Sequence, residues 1–215
     1  MVYNLLMLIA FKTELKLNSS VGTLLAKHAG TARHAYNWGL GLCKQILDHN
    51  KTNPEEKIKF PTAIDLHKWL VAIVKPEHPW YYEVSKCAPQ YALRHLADAF
   101  KAFFSKKRGF PRFKKKERSD SFTLDGSITV DHKKVKVPVI GWIKTYERLP
   151  QGVNPKSVTI SRTADRWFVS FKIELTLPMP IRQGILASRG FQRIYPQPRI
   201  LTVCPTAASP RPRTT

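Results

Sequence analysis

The feature that most limits how this chain can fold is a change of period that happens within its first fifty residues. From Phe11 to Leu17 (FKTELKL) apolar and polar residues alternate, which is the period of a half-buried strand. Behind it Leu25, Ala29, Ala32, Tyr36, Leu40, Cys43 and Leu47 recur at spacings of three and four. That stripe predicts about seven turns of helix, ending near His49–Asn50, with Asn18, Ser19 and Ser20 available as N-caps. A lone strand has no edge to pair with until the chain returns from this helix. The fold must therefore hold a strand open across a helical excursion.

The excursion continues. Leu66, Trp69, Leu70 and Ile73 place a second helix over Thr62–Val74, stopped by Pro76 and Pro79. Ala92, Leu96, Ala99, Phe100 and Phe103 place a third over Ser85–Ser105, with Gly109 where a C-terminal cap belongs. Beyond Gly109 the period returns to two. Ser121–Leu124, Ser127–Asp131 and Lys134–Val139 read as short strands separated by turns at Asp125-Gly126 and Asp131–Lys133. Ser157–Arg162 and Arg166–Leu175 form the clearest hairpin, with Thr163-Ala164-Asp165 at its tip. The class expected is α+β: a barrel-like sheet interrupted by helices. Its parts are 1–18, the first strand; 19–108, a helical insert; 109–175, the rest of the sheet; and 176–215, a tail.

The tail is set off by composition. Before Thr176 lie 22 Lys, 8 Arg and all 15 acids; after it come 6 Arg, neither Lys nor acid, and seven of the sixteen Pro. With no hydrophobic period it reads as disordered. A shift of reading frame, an unrelated fusion and a natural basic tail all account for it.

The whole chain of 215 residues carries 36 Lys+Arg against 15 Asp+Glu, a net +21. Such an excess points to a polyanionic partner, nucleic acid or an acidic membrane face. The longest apolar run, Leu5–Phe11, has seven residues, where a bilayer span needs roughly 20. It has neither a basic leader before it nor a cleavage site after it, so no signal peptide is expected. Cys43, Cys87 and Cys204 form no Cys-x-x-Cys pair, which disfavours a disulfide framework and a zinc site and fits the cytoplasm.

The positive charge is concentrated in Lys106–Arg118 (KKRGFPRFKKKER), eight basic residues and one acid in thirteen. Lys106, Lys107, Arg108, Lys114, Lys115 and Lys116 displace counterions from phosphates. Arg112 offers a bidentate fork, and Phe113 can stack on an unpaired base. The plainer alternative is a solvated linker whose Phe110 and Phe113 pack into the core. On the long helix Arg33 and Lys44 are candidates for contact with phosphates or base edges, beside His28, His34, Tyr36, Asn37 and Trp38. Tyr36 and Trp38 serve equally as core aromatics, and Arg33 as an ordinary surface charge. Lys133 and Lys134 on a hairpin, and Arg162 at the tip of the last one, complete the set; protective edge charges explain these nearly as well.

No catalytic constellation appears. Seven Asp and eight Glu are scattered, and the histidines show no ligand spacing. There is no phosphate-binding Gly-rich loop and no nucleophilic Ser motif. No catalytic residue, metal ligand or cofactor is assigned, and the sequence sets no oligomeric state.

Four strings carry a resemblance. FKTELKLN (Phe11–Asn18), TARHAYNWGL (Thr31–Leu40), GFPRFKKK (Gly109–Lys116) followed by DSFTL (Asp120–Leu124), and SVTISRTADRWFVSFKIE (Ser157–Glu174) occur in the order found in the TnpB/OrfB proteins of bacterial insertion sequences. The resemblance covers residues 11–175. It implies a wedge-like split β-barrel interrupted by a helical recognition insert, and an opening segment often described as helix-turn-helix. It also implies RNA-guided DNA cleavage, with the barrel and basic elements on the guide RNA and the helical insert on target DNA. A RuvC-like domain with carboxylate-bound Mg²⁺ and a zinc ribbon would do the cutting. After Glu174 this sequence departs from that pattern: the expected apolar strand with its catalytic Asp does not follow. The expectation is therefore a truncated, nucleic-acid-binding portion of a TnpB-like protein in transposition-related DNA targeting. The alternatives are a nuclease completed by a second polypeptide, and a remnant without function.

Overall fold

The computed structural model describes residues 4–118 and 120–178. β1 (Asn4–Lys16) takes in the apolar run Leu5–Phe11 as well as the alternating segment, so the strand begins well before the alternation does. A short continuous apolar run has no period of its own. What makes it a strand is its partner, β7 (Arg166–Pro178), paired antiparallel from Asn4↔Pro178 to Glu14↔Phe168. That pairing also carries strand structure through Thr176–Pro178, beyond the expected start of the tail at Thr176. The remainder of the tail, 179–215, lies outside the described residues.

Between β1 and β2 come the helices. Asn18 caps α1 (Ser19–Thr52) by accepting a hydrogen bond from the Val21 N–H at 2.9 Å. The helix runs unbroken for 34 residues. Thr62 and Asp65 form a reciprocal capping box at the start of α2 (Ala63–Trp69). A π-helical turn (Leu70–Val74) then carries the chain into α3 (Lys75–Glu77), so Pro76 sits inside the helical stretch; only Pro79 ends it. The expected apolar face is also corrected. Leu66, Leu70 and Val74 are buried, whereas Trp69 is 37% and Ile73 59% exposed; the wider turn after Trp69 shifts the later side chains, Ile73 among them, around the axis. A 3₁₀ turn (Pro79–Glu83) leads to α4 (Cys87–Phe104). Its C-terminal turn is made by Lys106 in a left-handed conformation, φ 57°, and not by Gly109.

The other strands are β2 (Ser121–Asp125), β3 (Thr129–Asp131), β4 (Lys134–Val137), β5 (Gly141–Thr145) and β6 (Ser157–Thr163). β3 and β4 are shorter than the alternation predicts; Val139 already has φ 69°. β5 has too weak an alternation to be read from sequence. It finds its place by pairing with β4 and with Leu15 and Lys16 of β1. The antiparallel order is β2-β6-β7-β1-β5-β4-β3, with β2 and β3 at its two ends. The described residues thus form a mixed helix-and-sheet fold with an open sheet.

One face of the sheet is apolar by register. Phe122 pairs with Ile160, Ile160 with Val169, and Val169 with Thr13; the next row is Leu124, Val158, Phe171 and Phe11. The helices cover this face near β2. His28 of α1 stacks on Phe122 at 5.2 Å and joins the two layers. α1 crosses α4 at Gly39, where a Cβ would stand 2.8 Å from Leu93 Cδ2 and 3.0 Å from Leu96 Cδ2. The buried residues of helices and sheet form one cluster.

Candidate nucleic-acid interface

The basic segment leaves α4, passes along α1 and enters β2. Behind Lys106 the N–H groups of Lys107 and Arg108 both bond to the Ala102 carbonyl, at 2.9 and 3.3 Å, so the turn is fixed. Phe110 then packs edge-on against Phe100 at 5.5 Å and Phe103 at 5.2 Å, and Pro111 is buried. Both rings keep solvent exposure, Phe110 40% and Phe113 54%, and Phe110 is the one that holds the loop to α4.

Two pins hold the next stretch on α1. Asn37 grips the main chain of Lys114 twice: its Oδ1 accepts from the Lys114 N–H at 2.8 Å, and its Nδ2 donates to the Lys114 carbonyl at 3.0 Å. Six residues on, the Arg33 guanidinium donates to Asp120, which is only 7% exposed. Asp120 also accepts from the Glu117 N–H at 3.1 Å, and its carbonyl accepts from the Arg162 N–H. Glu117, between the pins, takes φ 67°. A charged loop held at both ends has already given up much of the freedom that binding would otherwise cost.

This geometry sorts the predicted cations. Lys106, Lys107, Arg108, Arg112, Lys115 and Lys116 are exposed along the loop. Lys114 is turned inward, its Nζ 4.4 Å from the centre of the Tyr36 ring, and burial lowers its pKa. Arg33 serves the Asp120 pin. Lys44 is exposed on α1, two turns beyond Asn37. Lys134 pairs with Asp131 at 3.3 Å and lies over Trp142 at 4.8 Å. Lys133 is beside it, and both sit on the β3–β4 hairpin at the far end of the strand order from β2. Arg162 is tied within its own hairpin tip, to the Ala164 carbonyl and to Asp165 at 2.9 Å. The structure thus gathers the loop cations with Arg33, sets the Arg162 main chain against the Asp120 pin with its guanidinium held at its own hairpin tip, and places Lys133 and Lys134 on the hairpin at the other end of the sheet.

Sequence reasoning missed the roles of Asn37 and Asp120 in positioning the loop, since each acts on a residue far along the chain. It also passed over the string His78-Pro79-Trp80-Tyr81, whose aromatic density was the available signal. His34 of α1 leans on that string, with Trp80 edge-on at 5.1 Å and Tyr81 Oη 2.9 Å from its Nδ1. Burial, with His78 adding to it, lowers the His34 pKa. His28 is used internally: its Nδ1–H donates to the Leu24 carbonyl at 2.7 Å and its Nε2 accepts from the Ser85 N–H at 3.0 Å.

Several carboxylates are likewise engaged. Asp125 accepts from Cys87 Sγ at 2.7 Å and from Tyr91 Oη at 3.1 Å, and the Cys87 hydrogen bond is the main cause of its lowered pKa. Asp65 belongs to the capping box and Glu83 to an ion pair with Lys27. Among the described residues no group of three or more His, Cys, Asp or Glu is placed to hold a metal ion.

Comparison with known proteins supplies the family. The model of a helix-turn-helix domain of OrfB proteins matches residues 7–52. A protein of Escherichia coli (strain K12) named as the RNA-guided DNA endonuclease InsQ is 28% identical over 176 residues, 80% of this chain and 42% of its own. A protein of Streptomyces pristinaespiralis named as an RNA-guided DNA endonuclease is 40% identical over 110 residues, 46% of this chain and 26% of its own. One of Mycobacterium tuberculosis, named likewise, is 26% identical over 84% of this chain and 45% of its own. The chain belongs to the TnpB/OrfB family. It spans less than half the length of these curated relatives. The segment matched by the helix-turn-helix model folds here as β1 followed by the single helix α1, so its α-helical part contains no internal turn. Among the described residues no helix is long and apolar enough to cross a membrane.

Proposed function

We propose that this TnpB/OrfB chain is a transposon-encoded nucleic-acid-binding protein, and that the loop Lys106–Arg118 is its main anchor. The observation that carries this reading is the double pinning of a strongly basic loop with seven of its eight cations left exposed. A solvated linker would have no use for Asn37 and Asp120. The names of its relatives support guide-type RNA, DNA, or both as the partner, and in this reading the chain acts in the cytoplasm in transposition-related targeting. The open sheet corresponds in this reading to the family's wedge-like barrel, and α1–α4 to its recognition insert.

We further propose that residues 4–178 bind without cutting. Asp65, Asp120, Asp125 and Glu83 already serve caps and pairs, and hydrolysis of a phosphodiester in this family's manner needs carboxylates free to hold metal ions. The test is electrophoretic or fluorescence titration of the purified chain with structured RNA and with duplex DNA across a salt series. Replacing Lys115 and Lys116 with Ala is expected to weaken binding and reduce the salt slope by about two units at most. An unchanged slope removes the loop from the interface. Mg²⁺-dependent cutting by this chain with its RNA overturns the non-cutting half of the proposal.

A further inference from the structure

On the outer side of α1 lies a cleft of about 720 Å³, a size typical of small-molecule pockets. The His34, Trp38 and Trp80 rings line it, and Trp80 is 37% exposed and stacked on Tyr81 at 4.4 Å. Two cations reach the cleft and both are already matched, Lys27 to Glu83 at 2.5 Å and Arg33 to Asp120. A cleft with neutralised cations and aromatic walls has little to offer a phosphate. It suits a flat, uncharged, polar-edged group.

Its position identifies that group. Asn37 and Arg33 line the cleft, and they are the two residues that pin the basic loop. The cleft and the basic loop therefore adjoin at these two side chains. We infer that the cleft receives an unpaired nucleobase of the strand held by the basic loop, stacked against Trp80. The inference rests on the nucleic-acid-binding reading above and adds to it a preference for single-stranded segments, since a base inside a duplex cannot leave its stack without cost.

The test uses four probes on the full chain: a single-stranded RNA, a single-stranded DNA, the same DNA strand made abasic throughout, and a blunt duplex. Trp80→Ala is expected to lower affinity for at least one base-bearing single strand about tenfold. Affinity for the abasic strand and the duplex, and the salt slope, should be unchanged. Trp80→Phe, which keeps a ring, should retain most of the affinity and serves where the Ala variant folds poorly. 2-Aminopurine placed in the strand should be quenched on binding to the unaltered chain. The RNA and DNA arms tell which polymer supplies the base. Equal loss on base-bearing and abasic strands, no loss at all, or no quenching overturns the cleft assignment while leaving the loop's role intact. Absence of salt-dependent binding by the unaltered chain overturns both.

Discussion

At the scale of single residues, two glycines of α1 show how the same substitution changes sign with its surroundings. Gly41 has nothing within 4 Å of an added Cβ, so Gly41→Ala removes a helix-interior glycine at no steric cost. It should raise stability by about 0.5–1 kcal/mol in urea denaturation. Gly39 sits in the crossing with α4, where the Cβ meets Leu93 and Leu96, both fully buried. The overpacking penalty of about 1–3 kcal/mol exceeds the propensity gain, and Gly39→Ala should destabilise the chain. His28 gives a pH dependence. Burial lowers its pKa from 6.5, so the unfolded chain takes up the proton first. The neutral ring contributes its full stability above about pH 6.5, and that contribution is lost as the pH falls toward the folded value. His34, His67 and His95 are lowered in the same direction, each chiefly by burial. Thermal melts should show Tm falling between pH 7 and 5, less steeply in a His28→Gln variant.

At the scale of elements, the basic loop and α1 act together. Asn37→Ala leaves the Lys114 N–H and carbonyl without their partners, at about 1–3 kcal/mol for a buried group and less here, where the site is half-buried. More telling is its effect on binding. The variant keeps every charge, so its nucleic-acid affinity should fall while the salt slope stays the same, the reverse of the slope change expected for Lys115 and Lys116. A salt slope that fell in Asn37→Ala would mean that the asparagine holds cations on the phosphates and not the loop in shape. β1 makes a complementary point. Its alternation announces a strand from Phe11, yet the strand begins at Asn4 because β7 extends to meet it.

At the scale of the whole molecule, the helical excursion and the strands on either side of it share one buried cluster, from Leu25 and Phe100 to Val135 and Ile173. The division at residues 18 and 108 is one of sequence pattern, and this common core predicts a single unfolding unit. Far-UV circular dichroism and tryptophan fluorescence should follow one coincident transition in guanidinium; two separated midpoints would show that the insert and sheet unfold independently.

Sequence alone determined the succession of strand, helices and strands, a capped start of α1 within Asn18–Ser20, the site of highest charge and the family, because each of these is written in local period, composition or contiguous strings. It could not determine which lysines on the basic loop face outward. That choice depends on Tyr36 and Asn37 lying under Lys114, and on Arg33 reaching Asp120 across 87 positions of chain. Nor could it place β5, or reveal that Trp38 and Trp80 share a cleft. Burial, pairing and pinning are made by residues distant in the chain, and only the tertiary structure brings them within reach.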